Sequence, residues 1–124
     1  MDEKLEIDLK KNIKPSNALY ADNYYNFGID NLSKGNYEEA ILSFIKCGNF
    51  YKNNLDFYCH LGNAYMFRDM YLEAKDTYLK ALKIMPENPN IHFNLGIAYS
   101  NLNDQISSIN SFKKCIKYDP KYSN

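Results

Sequence analysis

The feature of this sequence that most constrains its fold is a glycine that returns every 34 residues, at Gly28, Gly62 and Gly96. The stretch around it returns as well, because LGNAY at 61–65 is followed by LGIAY at 95–99. A fixed period of roughly 20–50 residues is typical of architectures in which one supersecondary unit is copied and stacked. With 124 residues, the chain is long enough for one modest domain of such repeats and too short for two separate cores.

Residue types keep the phase of this glycine over most of the chain. Aromatic positions stay aromatic, and small positions stay small. Counted from the glycine, the recurring sets are Tyr24, Tyr58 and His92 (four before), Phe27, Leu61 and Leu95 (one before), Asn31, Tyr65 and Tyr99 (three after), Ala40, Ala74 and Ser108 (twelve after), Phe44, Tyr78 and Phe112 (sixteen after), and Cys47, Ala81 and Cys115 (nineteen after).

These spacings predict a pair of helices in each repeat. At about 100° per residue, the positions four before, one before, at and three after the glycine share one helical face. The positions at twelve, sixteen and nineteen form a matching stripe on a second helix. We expect the glycine to let a neighbouring backbone approach closely.

Boundary signals place the helices near 18–34 and 37–51, 55–68 and 71–84, and 89–102 and 105–118. Asn88 followed by Pro89 is typical of a capped helix start, and Asn36 with Glu39 fits a capping box. Pro86 and Pro120 lie just beyond two predicted second helices.

A 34-residue helix pair with aromatic, Leu-Gly, Tyr, Ala, aromatic, Ala and Pro in this order resembles the tetratricopeptide repeat. The middle repeat, DFYCHLGNAYMFRDMYLEAKDTYLKALKIMPEN, resembles it most, with Tyr58 where the family usually has Trp. The resemblance implies an all-α fold, a right-handed superhelix (α-solenoid) of antiparallel helix pairs. Three repeats are expected, at 21–54, 55–88 and 89–122, within a repeat region of 21–124.

Residues 1–20 lie outside the period and form an N-terminal extension. Leu5, Leu9 and Ile13 are four residues apart, which is consistent with an amphipathic helix ended by Pro15. A charged disordered tail and an arm that folds back in place of a partner are the alternatives.

In the family, the first helices line a concave surface, which the resemblance implies is the binding site. One face of each first helix, next to the packing stripe, carries apolar side chains that are too numerous for a solvated face. This composition predicts peptide or protein binding. The candidate peptide-binding residues are Asp22, Tyr25, Asn26, Ile29, Asp56, Cys59, His60, Asn63, Met66, Phe67, Asn90, Phe93, Asn94 and Ile97.

The best-characterised branch of the family binds acidic chaperone tails through a clamp of Lys and Asn side chains. The matching positions here hold Tyr25, Ile29, His60, Asn90 and Asn94, and none has the clamp residue. Because a terminal carboxylate needs converging cations and amide donors, the sequence favours a neutral or basic partner segment instead. A co-chaperone adaptor and the regulatory arm of a larger enzyme remain the alternatives to a scaffold or assembly factor.

The sequence favours a non-enzymatic protein without cofactor or metal. Cys59 and His60 are adjacent, so on a helix their side chains diverge by about 100°. Cys47, Cys115 and His92 occupy packing positions, and Glu38 with Glu39 complements the positive end of a helix dipole. No phosphate loop or metal motif is present.

The charge balance limits the classes of partner that are expected, and the cysteine content limits the expected compartment. Fifteen Lys plus Arg balance fifteen Asp plus Glu, which argues against nucleic acid and against a polybasic membrane surface. There is no apolar run of the length needed for a membrane span, and three irregularly spaced cysteines suit a reducing compartment. A cytoplasmic location is expected, with the nucleus as the alternative.

The last predicted helix has an apolar face that a further repeat would cover. Ile109, Ile116 and Tyr118 fall at positions that the next first helix covers in earlier repeats. The expectation is a fragment of a longer repeat protein, with self-association through the exposed solenoid ends as the alternative.

Overall fold

The computed structural model describes residues 3–123, and over these residues all regular structure is helical. The first helices of the three pairs start and end within one residue of the expected bounds. α3 ends four residues earlier than expected, because the chain continues there as a 3₁₀ turn. The helices are α1 Glu3–Lys11, α2 Ala18–Ser33, α3 Tyr37–Cys47, α4 Leu55–Phe67, α5 Tyr71–Ile84, α6 Pro89–Asn101 and α7 Gln105–Tyr118, with 3₁₀ turns at Gly48–Phe50 and Pro120–Ser123.

The helices pack in sequence order as three pairs, α2 with α3, α4 with α5, and α6 with α7, and each pair also contacts the next. Such stacking buries a continuous core that no single pair could bury alone. The core contains the positions that recur in phase with the glycine. Its central members are Tyr24, Ala40, Phe44, Cys47, Leu61, Ala74, Tyr78, Ala81 and Leu95.

The recurring glycines make equivalent contacts in all three pairs. A Cβ added to Gly28, Gly62 or Gly96 would stand 2.6 Å from a ring carbon of Phe44, Tyr78 or Phe112, respectively. The expected reason for the glycine was therefore wrong in one detail. The close neighbour is the aromatic ring of the paired helix, which occupies the space that a side chain at the glycine would need.

The turn inside each pair follows the same register. Gly35, Asp69 and Asn103 each lie seven residues after the recurring glycine, and each has a positive φ, of 81°, 57° and 63°. Gly, Asp and Asn are the residues that adopt the left-handed conformation at least cost. The turn requires a left-handed backbone at this position, which explains why Gly, Asp and Asn can each occupy it.

Asparagine side chains cap the first helix of every pair. Asn17, Asn54 and Asn88 accept hydrogen bonds from Tyr20 N (2.8 Å), Phe57 N (2.9 Å) and Ile91 N (3.2 Å). Capping by Asn88 is as expected. The capping box at Asn36 was wrong, since this side chain makes no cap bond and donates instead to Asn31 Oδ1 at 3.2 Å.

Helix α1 docks on α3 and ends at Lys11, before Pro15. Leu5 is 1% exposed. Beneath the end of α1 lies the Lys46 ammonium, which donates to the carbonyl oxygens of Asp8 (2.8 Å) and Ile13 (3.2 Å). Lysine donors near a helix C-terminus satisfy carbonyls that lack intrahelical partners.

None of the helices within residues 3–123 is long and apolar enough to cross a membrane.

Candidate functional site

Helices α2, α4 and α6 carry all fourteen candidate peptide-binding residues, and we call the face that bears them the first-helix surface. None of the fourteen belongs to the fully buried class. Exposed members are Asp22, Asn26, Asp56, Phe67, Asn90 and Phe93; partly buried members are Tyr25, Ile29, Cys59, His60, Asn63, Met66, Asn94 and Ile97.

Tyr25 lies at the centre of an aromatic cluster that joins the first two repeats. Its ring centroid is 4.6 Å from that of Tyr51, 6.0 Å from that of Phe57 and 6.1 Å from that of His60. Tyr51 stacks on Phe57 with an angle of 12° between the ring planes, and its hydroxyl donates to the Asp22 carboxylate. Two of the candidates, Asp22 and Tyr25, are therefore already engaged by Tyr51.

The third repeat shows the same arrangement at the corresponding positions. The Tyr122 ring lies 5.5 Å from that of Phe93, and the Tyr122 hydroxyl donates to Asn90 Oδ1. Phe93 also contacts Phe112 on α7, at 5.8 Å between ring centroids. The 3₁₀ turn that begins at Pro120 thus brings a tyrosine onto α6.

Between α4 and α6 the first-helix surface contains a cavity of about 220 Å³, which we call the middle cavity. Tyr78 is one of the lining residues; its hydroxyl donates to Asn63 Oδ1 at 2.6 Å, and the Asn94 side chain bonds to the same hydroxyl. The lining residues are Cys59, Asn63, Tyr78, Asn88, Asn90, Ile91 and Asn94.

Phe67 is separate from the Tyr25 cluster and from the middle cavity. Phe67, at the end of α4, stacks on Tyr37 in the first turn of α3, with centroids 4.7 Å apart and ring planes at 10°. Nearby, Arg68 and Glu38 form an ion pair at 3.9 Å. Phe67 therefore lies at the edge between two pairs, away from the middle cavity.

The charge of the first-helix surface is one-sided. The sequences of α2, α4 and α6 contain no Lys or Arg, whereas Asp22, Asp30 and Asp56 lie on α2 and α4. Lysines are instead found on the second helices, for example Lys80 and Lys83 on α5. The surface therefore repels anions weakly and attracts cationic groups.

Burial keeps the phenols of this surface protonated. It raises the pKa of Tyr25 to about 12, with Asp56 as the second cause, and it raises the pKa of Tyr78. The pKa of Tyr51 is raised by burial and then by its hydrogen bond to Asp22. All three phenols therefore stay protonated to a higher pH than the phenol of an unfolded chain does.

The thiols differ in access as expected. Cys47 and Cys115 are buried and Cys59 is partly accessible, and burial, followed by Asp56, raises the pKa of the Cys59 thiol. His92 is a packing residue, as predicted: its Nε2 is 2.8 Å from Pro86 O. Among residues 3–123, no group of three or more His, Cys, Asp or Glu side chains is placed to hold a metal ion.

A second cavity, of about 590 Å³, lies between α3, α4 and α5. Lysines 52, 80 and 83 line it together with Phe44, Ile45 and Ile84. These lysines alternate with apolar side chains on an open surface, so their stems cover apolar area while the charges stay in water.

Periodicity did not reveal every residue of the site. Tyr51 and Tyr122 belong to irregular segments whose positions relative to the glycine differ, so no repeat pattern marks them. Tyr78 was assigned to packing and is buried, but its hydroxyl donates to Asn63, which is one of the candidate residues. Only a buried phenol's need for a polar partner could have suggested this.

Family models match the second half of the chain. One described as "TPR repeat" matches residues 71–103, and one described as "Tetratricopeptide repeat" matches residues 89–122. Residues 71–122 belong to the tetratricopeptide repeat family. The predicted family is thereby confirmed, and the first two helix pairs repeat the glycine contact found in the third tetratricopeptide unit.

Solved structures extend the tetratricopeptide repeat fold to nearly the whole chain. MamA from AMB-1 matches with a TM-score of 0.80 at 22% identity, covering 94% of this chain and 61% of that one. MamA from MSR-1 matches at 0.78 and 20% identity, covering 94% and 64%. The TPR domain of Arabidopsis OM64 matches at 0.75 and 16% identity, covering 82% and 84%. The predicted all-α solenoid is confirmed.

The chain thus spans about three fifths of the MamA chains that it matches. Among curated proteins, none matches it significantly by sequence. Tetratricopeptide repeats form protein–protein interaction modules, and this chain has that architecture.

Proposed function

We propose that this tetratricopeptide repeat module binds a peptide or helix of a protein partner on the first-helix surface, as part of a scaffold or assembly factor. The observation that carries the proposal is the middle cavity, where side-chain amides of Asn63 and Asn94 converge beside Ile91. Amide side chains both donate to and accept from peptide backbone, and apolar walls receive side chains. The same mixture is typical of peptide grooves.

The partner segment is proposed to be neutral or basic. Asp22 and Asp56 lie on the surface, and α2, α4 and α6 have no Lys or Arg to bind a carboxylate. An acidic tail would therefore face hydrogen-bond acceptors and carboxylates of the same charge, which disfavours its binding. Binding, without catalysis or cofactor, is the activity we assign. The cytoplasm is the proposed compartment.

The test is an affinity pull-down from the source cell with the wild type and two matched variants. Phe93→Ala removes a ring that is 38% exposed on the first-helix surface, while Leu72→Ala removes an apolar side chain, 52% exposed, from α5. We expect Phe93→Ala to lose partners that both the wild type and Leu72→Ala retain, with unchanged helicity by circular dichroism. Equal capture by Phe93→Ala and wild type would contradict the proposed surface.

A second contact surface is proposed on α7, for self-association. Ile106, Ile109 and Ile116 are 77%, 52% and 41% exposed, and apolar groups that cluster on a surface mark interaction sites. Sedimentation velocity should show a larger species as concentration rises, and Ile109→Lys should shift it back toward monomer. A wild type that remains monomeric at high concentration would exclude this contact.

A further inference from the structure

The first-helix surface binds two tyrosines of its own chain. The acceptors and rings that they contact occupy corresponding positions in repeats one and three. Six residues before the recurring glycine lies an Oδ1 acceptor, Asp22 or Asn90, and three residues before it lies an aromatic ring, Tyr25 or Phe93. In repeat one, Tyr51 donates to the acceptor and packs on the ring. In repeat three, Tyr122 makes the same two contacts.

Tyr51 also shows where such a side chain sits relative to the following repeat. Its ring lies between Tyr25 of α2 and Phe57 of α4, at centroid distances of 4.6 Å and 5.5 Å. Phe57 is five residues before the glycine of its repeat. The position lies at the junction of two repeats, between one first helix and the next.

The middle cavity is the same position at the junction of repeats two and three. Cys59 and Ile91, which line it, correspond in register to Tyr25 and Phe57. Asp56 corresponds to Asp22 and is exposed. In place of Tyr51, this junction has Met85, which is 46% exposed.

Smaller side chains explain why a cavity forms here. Cys59 and Ile91 replace two aromatic rings, and the connection from α5 to α6 has only residues 85–88, whereas 48–54 connect α3 to α4. The volume of about 220 Å³ equals that of about seven water molecules at roughly 30 Å³ each. This is room for one large side chain.

We propose that the middle cavity receives a tyrosine side chain from the partner, with its hydroxyl donating to Asp56 and its ring between Cys59 and Ile91. The inference rests on the proposed function and deepens it by naming the anchor residue of the bound segment. Asp56 adds a reason for basic residues beside that tyrosine, because it places a negative charge on α4 three residues, or about one helical turn, before Cys59. A buried aromatic with one satisfied polar atom is a frequent anchor in protein interfaces.

The test is an NMR titration of the full ¹⁵N-labelled chain with two short peptides, acetyl-Lys-Gly-Tyr-Gly-Lys-amide and its Phe counterpart. We expect the Tyr peptide to shift the amide signals of Cys59, Asn63, Ile91 and Asn94. The Phe peptide should bind about tenfold more weakly, since it lacks a hydrogen bond to a charged acceptor. Equal affinity of the two peptides, or the absence of shifts at the cavity, overturns the inference.

Variants test two things: the role of Asp56 as the acceptor, and the correspondence with the contacts that Tyr51 and Tyr122 make within the chain. Asp56→Ala should weaken the Tyr peptide about tenfold, Asp56→Asn should recover part of that loss, and Asp76→Ala, an exposed carboxylate on α5, serves as the control. Tyr122→Ala should add a second set of shifts centred on Phe93, which does not line the middle cavity. Failure of that second set to appear contradicts the correspondence on which the inference rests.

These outcomes are separable from the proposed function. If Phe93→Ala loses the natural partner while Tyr and Phe peptides bind alike, the surface stands and the tyrosine anchor fails. If the peptides shift only second-helix signals, both proposals fail.

Discussion

Ring atom Cε1 of Tyr78 lies 2.6 Å from the place where a Cβ on Gly62 would stand. Tyr78 is 1% exposed and its hydroxyl is held by Asn63, so the ring has no free space to move into. Gly62→Ala should therefore cost the upper part of the roughly 1–3 kcal/mol typical of overpacking. Alanine is also more favourable than glycine in a helix by about 1 kcal/mol. The net loss in free energy of unfolding is therefore about 1–2 kcal/mol, which urea unfolding can measure.

The matched control is Gly48→Ala. There the nearest atom, Phe57 Cζ, is 3.4 Å from the added Cβ, and the backbone φ of −56° suits any residue. This variant should change the free energy of unfolding by less than about 0.5 kcal/mol. A Gly62→Ala variant as stable as Gly48→Ala would contradict the packing described for the recurring glycine.

Lys46 is predicted to hold helix α1 against the first repeat. Lys46 is 5% exposed, and burial lowers its pKa. Lys46→Ala leaves the carbonyls of Asp8 and Ile13 without this donor, which costs roughly 1–3 kcal/mol. Hydrogen exchange of residues 3–13 should accelerate by roughly tenfold or more.

Lys80→Ala is the control for this prediction. Lys80 lies at the same distance after its glycine as Lys46 does, eighteen residues, but is exposed. It should leave exchange of residues 3–13 unchanged. Equal acceleration in both variants, or in neither, would show that α1 is held by other contacts.

Alkylation should distinguish the three thiols. Iodoacetamide at pH 8 is expected to modify Cys59 alone in the native chain, and more slowly than a free thiol, because burial and Asp56 raise the pKa of Cys59. Intact-mass spectrometry should find one adduct in buffer and three in denaturant. Cys59→Ser should remove the native adduct; rapid modification of Cys47 or Cys115 in the native chain would contradict their burial.

Stability should fall in strongly alkaline solution. The pKa of Tyr25 is about 12 in the fold and about 10 in an unfolded chain, so between these values the native state binds more protons than the unfolded state. By linkage, the contribution of Tyr25 is fully present below pH 10 and is lost as pH rises through 12. Tyr25→Phe should show a shallower loss from pH 10 to 12 in thermal unfolding than the wild type. Superimposable curves would refute this assignment.

Sequence periodicity located the three helix pairs and their core because the packing of a repeat is local. Gly62 and Tyr78 are sixteen residues apart, and their contact depends only on the helix pair that contains both. The left-handed turn position at Asp69 and Asn103 is equally local, although residue type alone did not single it out.

The fine structure of the candidate site was less predictable. All fourteen residues lie outside the fully buried class, but their division into a Tyr25 cluster, a middle cavity and a separate Phe67 depends on side chains that arrive from other segments. Tyr51 reaches Asp22 across 29 residues and Tyr122 reaches Asn90 across 32. These contacts follow from the path of the irregular connections, which no 34-residue period specifies.

The sequence by itself determined the repeat length, the helix pairs, the core positions and the family, since each follows from side chains spaced within one helical hairpin. Only the tertiary structure decided which parts of the first-helix surface are filled. Whether a junction contains a tyrosine ring or a cavity depends on the length of the loop that crosses it and on the size of the residues facing it from two helices. Those two helices belong to different repeats, and their separation is set by the stacking of the whole solenoid.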